Sequence, residues 1–270
     1  MRVAVLGQGA IGTLVSKALD GRVSLTRIDR SKAPLNGAVE PIDIAIVTTK
    51  SQGTAWAAEI ANRVLAKRGT VLTIQNGLGH RERLAAVLGD DRVAVGVIYV
   101  GASLDGETLR ATGPGRVELG RAAYVDELAA ALQAGGMTVA VVDDPWPAVW
   151  RKLVGNAAVN PVSALVGVTN GELLQHPAAR IVDAAARESA RVASAEGVPI
   201  SDSEAITLWR AMAELTAMNR SSMLQDVRSG RPTEIDWING EVIRRGRRHG
   251  VPTPVNESLL KLVEVLEAYP

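Results

Sequence analysis

A chain of 270 residues, 47% hydrophobic and 22% charged, suits two domains of ordinary size and has the balance of a soluble globular protein. Its 30 Lys plus Arg against 29 Asp plus Glu leave a formal charge of +1, so no global field recruits nucleic acid or an anionic membrane. With no cysteine and three histidines, disulfides and thiol catalysis are excluded, a metal cluster is not expected, and no apolar stretch approaches the ~20 residues of a membrane span.

The opening Met-Arg-Val-Ala-Val-Leu-Gly reads as a buried strand over residues 2–6 rather than a secretory leader, and a cytoplasmic protein is expected. Gly7 to Gly12 then turns into a helix that ends near Asp20-Gly21. Strands follow at 23–28 and 42–47, then a helix to about Ala66, a strand at 70–74, a helix at 81–88 and a strand from Arg92. Continuous apolar strands alternating with helices predict a parallel sheet covered on both faces. Within residues 101–120, Leu104-Asp105-Gly106-Glu107 supplies an Asp-Gly turn that predicts a hairpin. One more helix and strand complete the sheet near Val142. After the proline-flanked Asp143-Asp144-Pro145-Trp146-Pro147 the pattern turns helical, at 148–160, 178–196, 202–228 and 233–248. The expected division is a dinucleotide-binding domain over 1–145 and a helical domain over 146–270. The basic run 244–249 reads as a solvated helix face.

Gly7-x-Gly9-x-x-Gly12, placed between a strand and a helix, predicts a pyrophosphate site built from Gly7, Gln8, Gly9, Ala10, Ile11 and Gly12. About twenty residues past Gly7, where such a site selects NAD or NADP, the chain reads Arg27-Ile28-Asp29-Arg30. An acid suits a ribose hydroxyl and an arginine a 2′-phosphate, so the local reading is split. Lys50 leaves one strand end and Gln75-Asn76 another, where open sheets bind ligands. Lys50 equally fits a solvated loop, and Asn76-Gly77 is a common turn dipeptide.

Lys152, Asn156 and Asn160 recur every four residues in an otherwise apolar helix, which predicts one polar stripe lining a cavity, because an unpaired buried cation or amide is costly. Asn219, Ser222 and Asp226 form a second seam at helical spacing. Glu234, after Pro232-Thr233, fits either a capped helix start or a partner for Lys152.

Joined together, Gly-x-Gly-x-x-Gly, Asn76-Gly77, Trp150-Arg151-Lys152-Leu153-x-x-Asn156-x-x-x-Asn160-Pro161, Asn170-Gly171-Glu172-Leu173, Ser221-Ser222-Met223-Leu224-Gln225-Asp226 and Thr233-Glu234-Ile235-Asp236 closely resemble the ketopantoate (2-dehydropantoate) reductase family. The likeness runs from the first residues to about Pro254. It implies a Rossmann α/β domain followed by a helical domain like that of 6-phosphogluconate dehydrogenase, with the active site in the cleft between them. It also implies NADPH-dependent reduction of 2-dehydropantoate to (R)-pantoate in pantothenate and coenzyme A synthesis. In the resemblance Lys152 is the general acid and Glu234 holds the substrate hydroxyl and orients that lysine. Asn156, Asn160, Ser222 and Asn219 bind substrate, Asn76 serves both substrate and nicotinamide, and Lys50 reaches the cofactor. Arg27, one residue short of the family's 2′-phosphate arginine, and Arg30 compete for that role. The implied partner is a small 2-keto acid, with no nucleic acid and no membrane, and the chain is expected as a monomer or homodimer.

One departure bears on substrate. Gly96-Val97-Ile98-Tyr99-Val100-Gly101-Ala102 replaces the family's common hydroxyl side chains, so another branched 2-keto acid is an alternative. A non-catalytic NADPH-binding redox sensor is a second alternative, against which the intact set Lys152, Asn156, Asn160, Ser222 and Glu234 argues.

Overall fold

The computed structural model describes residues 1–30, 40–106, 108–112 and 115–269. These residues fall into two units, one of 1–75 with 79–145 and one of 76–78 with 146–270.

The first unit carries strands β1 (Arg2–Leu6), β2 (Ser24–Ile28), β3 (Ile42–Val47), β4 (Leu65–Thr73), β5 (Val93–Tyr99), β6 (Ala102–Asp105), β7 (Thr108–Ala111), β8 (Arg116–Gly120) and β9 (Thr138–Val142). Its helices are α1 (Ala10–Leu19), α2 (Thr54–Val64), α3 (His80–Leu88) and α4 (Val125–Ala134). Seven strands form one sheet in the order β2-β1-β3-β4-β5-β8-β9. Val3, Val5, Ile44, Ile46, Leu72 and Ile74 meet α1 and α4 on one face. Ala4, Leu6, Ala45, Val47 and Val71 meet α2 and α3 on the other. Burial of both faces is why these strands read as unbroken apolar runs. The chain leaves β1 towards β2 on one side and resumes at β3 on the other, so the order reverses beside β1, where open α/β sheets bind ligands.

Two expectations are corrected here. The sheet is parallel except at β5 and β8, which pair antiparallel. The cause is the predicted hairpin: β6 and β7 form a separate antiparallel ribbon with Asp105 opposite Thr108, and the chain returns from it reversed. Glu107 of that turn lies outside the described residues. The helix expected to reach Ala66 ends at Val64, and β4 starts at once. Its first residues bulge out of register between Ile42 and Ile44. Arg92 holds the bulge by donating to the Ala66 and Gly69 carbonyls at 2.8 and 3.1 Å.

The second unit comprises α5 (Trp146–Val166), α6 (Ala179–Ala195), α7 (Asp202–Leu215), α8 (Ser222–Arg228), α9 (Ile235–His249) and α10 (Pro254–Ala268). α5 is the axle, packed against each of the other five. The single helix expected over 202–228 is two. Thr216 turns its hydroxyl back to the Met212 carbonyl at 2.6 Å, and Ser221 caps α8 by accepting the Leu224 N–H at 3.1 Å. Local hydroxyl bonds of this kind compete with helix continuation. Asn219 therefore precedes α8 and does not share a helical face with Ser222 and Asp226. Nor is the basic run 244–249 simply solvated. Arg245 is buried between Glu196 and Glu241, while Arg244 pairs with Asp236 and Glu241.

Pro161 lies inside α5 and has no N–H for the Ala157 carbonyl, four residues earlier. Asn239 on α9, fully buried, supplies the missing donor at 2.8 Å and also donates to Asn256 Oδ1 at 2.9 Å. Asn256 in turn donates to Glu188, which accepts the Val255 and Asn256 N–H groups at the start of α10. Asn239→Ala strands a buried carbonyl and a buried amide oxygen. It should cost about 1–3 kcal/mol, read as a lower urea midpoint; an unchanged midpoint refutes this account of how Pro161 is accommodated.

Candidate active site

At the end of β1, Gly7 has φ of +105° and backs onto Thr49 so closely that a Cβ would meet its Cγ2 and N at 2.8 Å. Gly12 presses α1 against the Gly7 carbonyl with no space for a side chain. Gly9 differs: a Cβ there meets nothing within 4 Å. Gly9 is also the N-cap of α1, whose first turn carries no acid and no capping side chain. Two glycines thus tighten the turn and the third leaves open approach to the bare amides of Ala10, Ile11 and Gly12, a cradle that fits a dinucleotide pyrophosphate. Thr48 pins it by bonding the Leu6 and Gly7 carbonyls at 3.1 and 2.7 Å. The Gln8 side chain folds back to the Val5 carbonyl, so Gln8 presents only its backbone to that cradle.

Lys50 is exposed just past β3, on the other side of the point where strand order reverses. Its backbone belongs to a polar network that the sequence did not reveal. Gln75 Nε2 donates to the Thr49 carbonyl and Thr54 Oγ1, both at 3.1 Å, its Oε1 accepts from Thr73, and Thr54 meets buried His80 at 3.0 Å. Arg27 lies on β2 opposite Val5, two residues before the glycine turn, but its side chain leads away from it. Its guanidinium pairs with Asp20, the C-cap of α1 and hence the opposite end of that helix. Arg30, exposed, stands just beyond the carboxyl end of β2.

In the helical unit the residues 76–78 dock on the start of α9. Leu78 donates to the Trp237 carbonyl at 3.0 Å, and Gly77, at φ of +88°, has that carbonyl where a Cβ would be. Asn76-Gly77 is therefore more than a turn dipeptide, since only glycine allows this contact. The seat brings Asn76 Oδ1 to Lys152 Nζ at 2.8 Å. Glu234, 5% exposed, is the N-cap of α9 but makes no side-chain capping bond; Thr233 Oγ1 takes the Ile235 N–H instead. Glu234 thus makes no capping bond, although it stands where the dipole of α9 favours an acid, and its carboxylate acts on Lys152 electrostatically.

Burial lowers the Lys152 ammonium to about 8 from the ordinary 10.5, against the opposing pull of Glu234. The charged form is disfavoured in the native state, so its cost is complete below about pH 8 and relieved as pH climbs from about 8 towards 10.5. A cation kept where it costs stability is a candidate functional group.

One turn and two turns along α5 from Lys152 come Asn156 and Asn160, each step about 6 Å. Asn160 is only 6% exposed. Ser163 and Ser221 bond each other at 2.6 Å and reach the Asn160 carbonyl, which fixes the start of α8, and so Ser222, beside Asn160. Among the described residues the side chains of Asn156, Asn160, Asn219 and Ser222 make no hydrogen bond. Asn160 is buried and the other three are half-buried, so their polar atoms are suited to a polar ligand. Asp226 differs, being buried and paired with Arg231. Among the described residues no helix is long and apolar enough to cross a membrane, and no group of three His, Asp or Glu could hold a metal ion. Glu234→Gln should lower the Lys152 pKa further below about 8; a 13C NMR titration of the lysine Cε that shows no downward shift contradicts the pairing.

Comparison with known proteins converges on one family. Residues 26–124 match the model for Ketopantoate reductase PanE/ApbA, and residues 144–267 match its C-terminal counterpart. A 2-dehydropantoate 2-reductase of Halobacterium salinarum is 35% identical over 99% of both chains. The crystal structure of a PanE/ApbA family ketopantoate reductase from Ralstonia eutropha JMP134 superposes with a TM-score of 0.87 at 29% identity, covering 99% of each chain. A complex of D-mandelate dehydrogenase with NADH gives 0.89 at 26% identity, also over 99% of each. The Rossmann-type sheet and following helices are those of this group, and the chain belongs to the ketopantoate reductase family.

Proposed function

We propose that this chain reduces 2-dehydropantoate to (R)-pantoate with NADPH, in pantothenate and coenzyme A synthesis, as a cytoplasmic enzyme. The observation that carries the reading is the buried ammonium of Lys152, gripped by Asn76 at 2.8 Å and influenced by Glu234. When bound, the nicotinamide supplies the hydride to the keto carbon. As the carbonyl oxygen gains charge, Lys152 stabilises it and delivers the proton that makes it a hydroxyl. Asn76 fixes the direction of the ammonium. Glu234 keeps it charged near neutral pH and accepts from the substrate hydroxyl. Asn156, Asn160, Asn219 and Ser222 supply donors for the carboxylate and keto oxygens. The cradle of residues 7–12, with Lys50, takes the cofactor phosphates, and Arg30 rather than Arg27 takes the 2′-phosphate. Division of labour assigns cofactor binding to 1–145 and substrate and proton chemistry to 146–270, in a monomer or homodimer.

A second reading, reduction of a different 2-keto acid, draws support from the likeness to D-mandelate dehydrogenase and from the apolar end of β5, Val97-Ile98-Tyr99. A panel of 2-keto acids assayed with NADPH and NADH separates the two, the highest kcat/KM on 2-dehydropantoate with NADPH being expected. Lys152→Ala should lose about 100-fold or more in turnover, the scale of a positioned acid, with NADPH affinity little changed; near-normal turnover removes Lys152 from the chemistry. Wild-type turnover should fall as pH rises through about 8, because only the ammonium form donates, and a flat profile from pH 7 to 10 contradicts it. Arg30→Ala should raise the KM for NADPH about tenfold, the scale of one charge-assisted hydrogen bond, with Arg27→Ala close to wild type; the reverse order restores Arg27.

A further inference from the structure

Two charges from the sequence motifs have no task in the chemistry above: Asp236, which closes Thr233-Glu234-Ile235-Asp236, and Arg244, which opens the basic run. Both lie on α9 with Gly240 midway between them, and at intervals of four residues the three share one stripe of the helix. Arg244 reaches back along that stripe. Its Nη1 donates to Asp236 Oδ1 at 2.8 Å and its Nη2 to the Asp236 carbonyl at 2.5 Å, while its Nε donates to Glu241 Oε1 at 2.9 Å. The guanidinium fork thus holds both the side chain and the backbone of a residue in the first turn of α9.

Gly240 makes room for this bridge. A Cβ at that position would stand 2.6 Å from Asp236 Oδ1 and 3.3 Å from each terminal nitrogen of Arg244. Glycine is among the poorest residues for a helix interior, and the ion pair it admits is exposed on both sides, where such pairs return little stability. The gain is one of placement. Glu234 is the N-cap of α9, and its carboxylate is the charge that acts on Lys152. The Trp237 carbonyl accepts the Leu78 N–H at 3.0 Å and so seats the segment whose Asn76 Oδ1 meets Lys152 Nζ at 2.8 Å. Asp236 stands between these two residues, and its carbonyl belongs to the peptide unit that leads into Trp237. Helix ends fray, and both answers to the ammonium depend on this end.

We propose that Arg244, admitted by Gly240, is a positioning residue for the proton donor: by gripping Asp236 it fixes the first turn of α9, and with it Glu234 and the seat of Asn76 around the Lys152 ammonium. This rests on the reading of Lys152 as the general acid given above. Arg244 touches no reacting atom and acts through the helix start. The same bridge gives the Asp236 carboxylate a partner of its own, which leaves Glu234 as the acid of this turn that serves the lysine.

The test is steady-state kinetics of the full-length chain with NADPH and 2-dehydropantoate for Gly240→Ala, Arg244→Met and Lys152→Ala, with kcat followed from pH 6 to 10 and Tm measured alongside. Gly240→Ala alters no charge and introduces a better helix former, so its Tm should be at or above wild type. Its kcat should nevertheless fall about tenfold, the scale of one charge-assisted hydrogen bond, with both KM values near wild type. Because Asn76 and Glu234 both favour the ammonium, loosening them should move the alkaline fall of kcat to lower pH than the wild-type value of about 8. A residue that merely stiffens the helix would leave that limb in place. Arg244→Met should lower kcat on the same scale, and it carries the test if Gly240→Ala does not fold. Near-normal turnover in Lys152→Ala overturns the general-acid reading and this role with it. With Lys152→Ala crippled, wild-type kcat in either of the other variants, a changed KM in place of kcat, or an unmoved alkaline limb in Gly240→Ala overturns the positioning role alone.

Discussion

A single positive charge organises the helical unit. Lys152 sits in α5, the helix that every other helix of the unit packs against, and burial there works against its charged form. Two groups answer that cost: the Asn76 amide oxygen at hydrogen-bond distance and the Glu234 carboxylate through space. Neither group is local. Asn76 arrives on a three-residue segment seated on the Trp237 carbonyl, and Glu234 arrives at the head of α9. The start of α9 therefore serves twice, carrying one partner of the ammonium and providing the seat for the other.

The polar groups around α5 fall into two kinds. Asn239, Asn256, Glu188, Ser163 and Ser221 bond each other and backbone, and they hold helices in place, with only the Asn239 Oδ1 among their buried polar atoms left without a partner. Asn156 and Asn160 on α5, Ser222 at the start of α8 and Asn219 in the turn before it make no such bonds among the described residues. The contrast matters because amides and hydroxyls of both kinds look alike in composition.

Much of this was readable in the chain. Strands β1, β3 and β5 announce themselves because both faces of the sheet are covered, and the glycine turn because its three glycines have distinct steric jobs. The Lys152, Asn156, Asn160 stripe was visible from spacing. What stayed hidden depended on distant contacts. The antiparallel pairing of β5 with β8 follows from where a short ribbon returns the chain. The break between α7 and α8 falls in Leu215-Thr216-Ala217-Met218, residues compatible with a helix, and is imposed by Thr216, Ser221 and the bonds that remote Asn170 and Gly171 make to 216–219. Arg27 illustrates a further limit, because nothing in its position beside Ile28 tells that its guanidinium turns to Asp20. Buried Arg245 is another, since an arginine in a basic run looks solvated until its acids are found.

The proline inside α5 couples two positions that are remote along the chain. Pro161 withholds a proton donor from the Ala157 carbonyl, and Asn239 gives one. Replace the proline by an ordinary residue and the returning N–H competes for that carbonyl, leaving a buried carboxamide with one fewer acceptor. Replace the asparagine alone and the proline becomes a defect. Neither site can drift independently, so across relatives of this chain the two identities are expected to be inherited as a pair.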